Sequence, residues 1–259
     1  MPDLSAYEEF REPFLGGGSM ALEVTKRYPK IDIWVNDLYE PLYNFWREIQ
    51  DNGQKLRDEL VQLKQRHCDQ SSARVLFAQA KEYLSHEDKK TEPFHRAVSF
   101  YVVNKCSFSG LTESSSFSAQ ASDSNFSMAG IERLPEYQQL IANWKITNLS
   151  YEELLTDDKS VFVYLDPPYD IKDNLYGRKG SMHKGFDHDK FAADCDRYLC
   201  PQLVSYNSSN LVTQRFQGWT VGEFAHTYTM RSVGSYNTDQ ASRKELVLTN
   251  YASVLANEN

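Results

Sequence analysis

The sequence predicts an α/β fold, in which helices are layered against a β-sheet. Short apolar runs alternate with turn residues and helical patterns over residues 1–48 and 145–259, and this alternation is typical of α/β layer architectures. The length of 259 residues is enough for one large domain, or for one domain that carries a substantial insertion. Hydrophobic residues make up 41% of the chain and charged residues 25%, which is ordinary for a globular protein.

Seven segments have the length and the apolar content of β-strands, with turn residues between them. The predicted strands are Glu9–Phe14, Ile31–Asn36, Trp144–Asn148, Val161–Leu165, Gln202–Tyr206, Thr220–Thr229 and Glu245–Asn250. Helical patterns follow the first two strands, one ending near Tyr28 and one over Leu38–Ile49.

The middle of the chain, residues 49–144, has a different pattern that predicts a mostly helical insertion. Asn52-Gly53 is expected to break the chain. Beyond it, apolar residues recur at helical spacing, and Pro93 lies near the start of the last helix of this group. The helices predicted here are Lys55–Cys68, Ala73–Leu84 and Phe94–Asn104. We therefore predict one domain formed by residues 1–48 and 145–259, and an inserted domain formed by residues 49–144.

The segment Cys106–Gly130 is rich in Ser, Phe and Gly and has few periodic apolar positions. This predicts a long irregular loop or hairpin, and loops of such length usually have a function or are disordered. The phenylalanines at positions 108, 117 and 126 favour a packed loop with a function.

Charge and cysteine content narrow the class of protein. A net charge of −8 disfavours nucleic acid as a partner, because phosphate contacts need Lys and Arg, but a local basic surface would be enough.

The four cysteines are scattered and the six histidines lack metal-ligand spacing, so we expect reduced thiols and no metal site. No apolar run could cross a membrane, and Met1-Pro2-Asp3 does not begin a signal peptide. These observations predict a cytoplasmic protein.

Three consecutive glycines, Gly16 to Gly18, follow the first predicted strand. A strand, a glycine turn and a helix in this order let a ligand approach the backbone closely, although a flexible turn explains the glycines equally well. The second strand ends in Asn36-Asp37, and an acid at this place in nucleotide-binding sheets accepts hydrogen bonds from ribose hydroxyls. Asp37 could also cap the following helix. The two features together favour a ligand that contains a nucleoside.

The apolar segment Val161–Leu165 ends abruptly in Asp166-Pro167-Pro168-Tyr169. Two adjacent prolines donate no backbone hydrogen bonds, so a sheet ladder must stop there. One interpretation is a strand followed by a rigid turn. The other is a strand end that holds a carboxylate, a carbonyl group and an aromatic ring in a fixed arrangement.

Four segments, EPFLGGGS, VNDLYEPLYNFW, NKCSFSGL and YLDPPYD, resemble in this order the Dam-like (D12 class) adenine-N6 DNA methyltransferases. The resemblance extends to a tail with Arg231, Tyr236 and Arg243-Lys244-Glu245-Leu246. It implies a Rossmann-like, S-adenosylmethionine-dependent methyltransferase sheet with helices on both faces. It also implies that the inserted domain recognises double-stranded DNA, and that the methyl group passes directly to the N6 amino group of a flipped adenine.

The resemblance further implies roles for individual residues. The catalytic residues would be Asp166, Pro167 and Tyr169. The residues that bind the cofactor S-adenosylmethionine would be Glu12, Phe14, Gly16, Gly17, Gly18, Asp37, Ser150 and Asp166, and Ser150 stands where the family often has an acid.

The chemistry of adenine gives a reason for the Asp-Pro-Pro-Tyr motif. The amino nitrogen is a poor nucleophile because its lone pair is delocalised into the ring. Its two N–H groups would donate hydrogen bonds to the Asp166 carboxylate and to the Pro167 carbonyl. These bonds favour a pyramidal nitrogen whose lone pair faces the methyl donor. Tyr169 would stack on the base, which is worth about 1–3 kcal/mol and offsets part of the cost of extruding a base from a duplex.

The residues expected to contact DNA carry positive charge or lie in the inserted domain. No arginine stands between Cys106 and Gly130, so a bidentate Arg–guanine contact from that loop is not available. The candidates are Asn104, Lys105, Ser107 and Phe108, then Arg178, Lys179 and Lys184 after the Asp-Pro-Pro-Tyr motif, and Arg231, Arg243 and Lys244 near the last strand. For the two charged clusters, ordinary solvated surface charge is an equally good explanation.

Members of the family usually carry a Gly-Gly-Lys segment before the glycine motif, whereas this sequence begins 11 residues before Glu12. A longer start or another chain would supply the segment, and a monomer and a dimer are both compatible with the sequence. If the Gly-Gly-Lys segment is absent, the alternative is that the protein is a catalytically weak relative of the family that binds DNA or a partner. A third alternative, methylation of glutamine or of adenine in RNA, is disfavoured by Asp166 and by the position of the insertion.

Overall fold

The computed structural model describes residues 1–86, 92–107, 115–169, 185–225 and 244–252. Within these ranges all seven predicted strands are confirmed, although most differ from the prediction at their ends. The strands are β1 (Glu9–Glu12), β2 (Asp32–Asn36), β3 (Lys145–Thr147), β4 (Val161–Leu165), β5 (Gln202–Asn207), β6 (Thr220–Ala225) and β7 (Lys244–Thr249).

The strands form one mixed sheet in the order β3-β2-β1-β4-β5-β7-β6. The first five strands in this order pair with one another in parallel, and β7 is antiparallel to both β5 and β6. From β1 the chain moves outward to β2 and β3, and then returns to the other side of β1 as β4. The strand order therefore reverses between β1 and β4, which is the position where doubly wound sheets bind ligands.

Helices flank this sheet, which confirms the predicted Rossmann-like α/β class. Among the helices in the described ranges, none has the length and apolar content needed to span a membrane. The helices are α1 (Ser19–Arg27), α2 (Glu40–Arg66), α3 (Gln70–Ser85), α4 (Pro93–Cys106), α5 (Ala119–Ser124), α6 (Met128–Glu132), α7 (Leu134–Leu140), α8 (His188–Arg197) and α9 (Asn210–Arg215).

Strand β4 contributes side chains to two apolar clusters, because alternate residues of a strand point to opposite faces of the sheet. Phe162 and Tyr164 belong to the larger cluster, which also contains residues of α1, α2 and α4. Val163 and Leu165 belong to the second cluster, together with Phe191 of α8. All five residues of β4 are buried, as expected for a parallel strand that is covered on both faces.

Helix α2 is interrupted by a kink at Asn52-Gly53, where the sequence predicts a break. Asn52 has non-helical backbone angles (φ −136°, ψ 26°) that separate the two halves of the helix. A Cβ atom at Gly53 would lie 2.7 Å from Cβ of Gln138 in α7. The glycine therefore permits the close approach of two helices. Helix α2 also extends across residues 48 and 49, where the sequence predicts a domain boundary. The division into two domains therefore stays a prediction.

In its described part, the segment predicted to be an irregular loop or hairpin contains an antiparallel bridge and short helices. Ser107 and Phe117 form an isolated antiparallel bridge, and Phe126 is fully buried. Beyond the bridge, the side chains of Ser118 and Ser127 accept hydrogen bonds from backbone N–H groups and so cap α5 and α6. The capping serines explain why short helices form where the sequence shows little apolar periodicity.

Candidate active site

The carboxyl ends of β1, β2 and β4 meet at one edge of the sheet. Strand β1 lies between the other two and is parallel to both, so the segments that follow the three strands emerge together. Those segments carry the glycine run, Asp37 and Asp166, respectively. The topology thus brings together three of the features that the sequence indicates.

The glycine loop is constrained on one side and open on another. Gly16 and Gly18 have positive φ angles of 49° and 67°, a conformation that favours glycine. A Cβ atom at Gly18 would lie 2.8 Å from Cζ2 of Trp46, and the Trp46 indole also donates a hydrogen bond to the Gly16 carbonyl at 3.1 Å. At Gly17 the φ angle lies outside the left-handed range, and a Cβ atom would meet nothing within 4 Å. The loop therefore presents open backbone at Gly17.

Asp37 connects the end of β2 to this loop. Its Oδ2 atom accepts a hydrogen bond from the Gly16 N–H at 3.0 Å, and its Oδ1 atom accepts one from the Tyr39 N–H at 2.9 Å. Burial raises the pKa of Asp37 to about 6, against the opposing effect of these two bonds. Since Tyr39 is the N-cap residue of α2, the bond from Tyr39 to Asp37 stabilises the start of that helix. Each carboxylate oxygen keeps a further lone pair for a ligand hydroxyl.

Glu12, the last residue of β1, is buried beside the start of α1. Its Oε2 atom accepts a hydrogen bond from the Ala21 N–H at 2.8 Å. Burial raises its pKa well above the usual value, with smaller contributions from the charges of Asp166 and Asp37. The charges of Asp37 and Asp166 are therefore both close enough to act on Glu12.

Asp166 directly follows β4. Its side chain is accessible to solvent, yet the protein atoms packed around it disfavour the charged form and raise its pKa to about 6. The charge of Glu245 on β7 raises this pKa further, and a hydrogen bond with Tyr169 lowers it. The carboxyl group thus changes charge close to neutral pH.

Strands β5 and β7, which follow β4 in the order of the sheet, hold the Tyr169 side chain. Its hydroxyl donates to Oε1 of Glu245 at 3.3 Å and lies 3.5 Å from Oγ of Ser205. Its ring stacks near that of Tyr206, with centroids 6.2 Å apart and an interplanar angle of 23°. Pro167, between Asp166 and Tyr169, is buried. The turn after β4 is therefore anchored at both ends, and the catalytic roles of these residues stay predictions.

Phe14 and Ser150 border an aromatic cluster near this edge. The Phe14 ring stacks on Tyr151 with centroids 5.5 Å apart, and it meets Phe186 and Phe191 edge-on at 5.8 and 5.9 Å. Ser150 is exposed and precedes Tyr151, which begins a single turn of 3-10 helix. An apolar surface with an exposed hydroxyl beside it suits an aromatic ring with polar edges.

The DNA-contact candidates in the inserted region lie at the end of α4. Asn104 and Lys105 are partly exposed, whereas Ser107 is buried and donates from Oγ to the Asn104 carbonyl at 3.2 Å. Burial lowers the pKa of Lys105. Lys244 begins β7. Phe108, Arg178, Lys179, Lys184, Arg231 and Arg243 lie outside the described residues, so their contacts stay predictions.

Two residues at this edge, Asn36 and Glu245, receive no role from the sequence. The only local signal for Asn36 is a polar residue at the end of an apolar strand. Glu245 has no local signal, because its contact with Tyr169 arises from the pairing of β7 with β5.

Comparisons with known proteins identify a matching family and two relatives. The family described as D12 class N6 adenine-specific DNA methyltransferase matches residues 1–230. The chain is also similar to the type II methyltransferase M1.LlaDCHI of Lactococcus lactis subsp. cremoris, with 24% identity over 262 residues that cover 95% of this chain and 88% of the relative. A second relative is the type II methyltransferase M.MjaIII of Methanocaldococcus jannaschii, with 22% identity over 171 residues that cover 62% of this chain and 58% of the relative.

Proposed function

Because the chain belongs to the D12 class N6 adenine-specific DNA methyltransferases, we propose that it transfers a methyl group from S-adenosylmethionine to the N6 amino group of a flipped adenine in double-stranded DNA. It is an adenine-specific DNA methyltransferase by family, and the donor, the flipped base and the residue roles are what the proposal adds. The observation that supports them is the meeting of Asp166, Asp37 and the glycine loop at one edge of the sheet.

The glycine loop and its surroundings fit a nucleoside-containing methyl donor. The open space at Gly17 would let the donor approach the backbone. Asp37 would accept hydrogen bonds from the ribose hydroxyls with its remaining lone pairs, and Phe14 and Ser150 would border the adjoining surface. When bound, S-adenosylmethionine supplies a methyl group that is activated by a sulfonium ion. Glu12 would fix the end of β1 through its bond to α1.

Asp166 and Pro167 would prepare the nitrogen of the target base. The Asp166 carboxylate and the Pro167 carbonyl would each accept a hydrogen bond from one N–H of the adenine amino group, and thereby localise the nitrogen lone pair. Asp166 must be ionised for this role, because a protonated carboxyl group has lost part of its acceptor capacity. No residue of the chain need form a covalent bond with the base, and the nitrogen would release one of its protons once the methyl group is attached.

Tyr169 would stack on the flipped base. Because its hydroxyl is bonded to Glu245 and its ring lies against Tyr206, little further side-chain entropy would be lost on stacking. A stacking contribution of about 1–3 kcal/mol would offset part of the cost of unpairing the base. The end of α4, with Asn104 and Lys105, would contact DNA within the proposed recognition domain.

The names of the relatives suggest a biological setting. Both are type II methyltransferases, and we propose that this chain likewise methylates a specific DNA site in a restriction–modification system.

One experiment tests the activity directly. The purified chain is incubated with methyl-labelled S-adenosylmethionine and unmethylated duplex DNA, and the digested nucleosides are separated. Wild type and Asp58→Asn, which changes an exposed acid on α2, are expected to produce labelled N6-methyladenine, and Asp166→Ala is expected to produce none. Near-normal turnover by Asp166→Ala would overturn the proposed role, and a wild type that binds DNA without transferring label would favour the catalytically weak alternative.

A further inference from the structure

We propose that Asn36 is a positioning residue that sets the geometry of the cofactor pocket by joining the ends of three strands. The inference rests on the proposed function, since S-adenosylmethionine and its demethylated product are the ligands whose affinity Asn36 would control.

Asn36 ends β2 and has only 1% of its surface exposed. Its Nδ2 atom donates to the Pro13 carbonyl at 3.1 Å and to the Leu149 carbonyl at 3.0 Å. Its Oδ1 atom accepts from the Leu149 N–H at 2.8 Å and from Oγ1 of Thr147 at 2.9 Å. An amide group has two donor hydrogens and two acceptor lone pairs, so all four hydrogen-bonding positions of this side chain are used.

The partners of Asn36 adjoin residues proposed to bind the cofactor. Pro13 stands between Glu12 and Phe14, Leu149 precedes Ser150, and Asn36 itself precedes Asp37. One side chain therefore fixes the spacing of three backbone segments, each of which would supply a wall of the same pocket.

An asparagine is better suited to this position than an apolar residue. The carbonyl groups of Pro13 and Leu149 both face its Nδ2 atom, and buried carbonyl groups without a donor are costly. An apolar side chain would fill the same volume but would leave both carbonyl groups unpaired. In Asn36→Asp, a carboxylate oxygen would face two carbonyl oxygens, and we expect the repulsion to separate the end of β1 from the segment after β3.

The test compares Asn36→Asp with the matched control Asn44→Asp. Asn44 is also buried, and its Nδ2 atom donates to the Pro93 carbonyl at 2.8 Å in the helical region. Both variants of the full chain are expected to unfold at a lower temperature than wild type. By calorimetry, Asn36→Asp is expected to bind S-adenosylhomocysteine at least about tenfold more weakly than wild type, and Asn44→Asp to bind it within about twofold.

Steady-state kinetics separate positioning from general destabilisation. In Asn36→Asp the KM for S-adenosylmethionine should rise, and kcat at saturating cofactor should stay within about threefold of wild type, because the Asp-Pro-Pro-Tyr turn makes no bond with Asn36. If Asn36→Asp fails to fold, Thr147→Val, which removes one hydrogen-bond partner of Asn36, is expected to weaken cofactor binding by about two- to fivefold.

The outcomes distinguish the inference from the proposed function. Unchanged cofactor affinity in Asn36→Asp, or in Thr147→Val where that variant replaces it, would overturn the positioning role and leave the proposed function intact. A folded wild type that binds neither S-adenosylmethionine nor S-adenosylhomocysteine would overturn both.

Discussion

The hydroxyl of Tyr169 donates a hydrogen bond to the Glu245 carboxylate at 3.3 Å. This bond links the turn after β4 to strand β7. The same carboxylate raises the pKa of Asp166, at the other end of the turn. Glu245 therefore affects both the position of the proposed stacking ring and the charge state of the proposed acceptor.

We expect methyl transfer to increase with pH and to level off above a midpoint near the Asp166 pKa of about 6. The protein atoms packed around Asp166 raise this pKa, so the acceptor is protonated below the midpoint and ionised above it. The measurement is kcat/KM for the DNA at saturating S-adenosylmethionine between about pH 5 and pH 8, because kcat/KM reports groups of the enzyme before the base binds. Saturation is essential because the pKa of Asp37 is also about 6 and would otherwise affect cofactor binding over the same range. A kcat/KM that is constant through this range would contradict the role of Asp166.

Glu245→Gln should shift this pH profile to lower pH. Glutamine keeps an oxygen that can accept the Tyr169 hydrogen bond but removes the negative charge that raises the pKa of Asp166. We expect a lower midpoint with a plateau rate within about threefold of wild type, whereas Glu245→Ala should also lower the plateau by about tenfold because Tyr169 loses its anchor. Glu23→Gln, on the exposed side of α1, is the control. An unchanged midpoint in Glu245→Gln would show that this charge does not act on Asp166.

The sequence predicts those parts of the structure that have local signals. The apolar runs identify all seven strands, and the turn residues after β1, β2 and β4 identify the glycine loop, Asp37 and the Asp-Pro-Pro-Tyr turn. Asn36 and Glu245 are different, because their importance depends on contacts between segments that are distant along the chain. Such contacts follow from strand order and register, which no local pattern specifies.

The kink in α2 depends on both a local signal and tertiary packing. Asn52-Gly53 is a local signal for a turn. In the structure, Asn52 donates from Nδ2 to Oε2 of Glu48 at 2.8 Å, and Gly53 packs against Gln138. The local signal thus places the interruption correctly, and these contacts hold the two halves of α2 in place around it.

Asp37→Asn should weaken cofactor binding. The proposed bonds to ribose hydroxyls are charge-assisted, and loss of the charge is expected to reduce affinity for S-adenosylhomocysteine by about tenfold. DNA affinity should change by less than about twofold, since Asp37 is proposed to contact only the cofactor. Calorimetry gives the first quantity and fluorescence anisotropy with a labelled duplex gives the second. If wild type and Asp37→Asn bind S-adenosylhomocysteine equally well, the role of Asp37 is limited to capping the helix.

The same variant should alter how stability depends on pH. The pKa of Asp37 is raised in the folded protein from 3.8 to about 6, so the folded state favours the protonated form. The stability that this group contributes is present below about pH 4 and is lost as the pH rises through about 6. Asparagine does not titrate, so Asp37→Asn should gain stability relative to wild type between these pH values. Urea unfolding of the cofactor-free proteins measures the difference, and an opposite trend would contradict the raised pKa.

Alanine at Gly18 should lower stability, whereas alanine at Gly17 should weaken cofactor binding with little change in stability. At Gly18 the positive φ angle and the 2.8 Å approach to Trp46 should lower the free energy of unfolding by about 2–5 kcal/mol. At Gly17 there is no such conflict, and the free energy of unfolding should change by less than about 1 kcal/mol. Its new methyl group would occupy the space in which the cofactor is proposed to approach the backbone, so affinity for S-adenosylhomocysteine should fall by at least about tenfold. A Gly17→Ala protein that binds as tightly as wild type would show that the cofactor does not approach the loop at this residue.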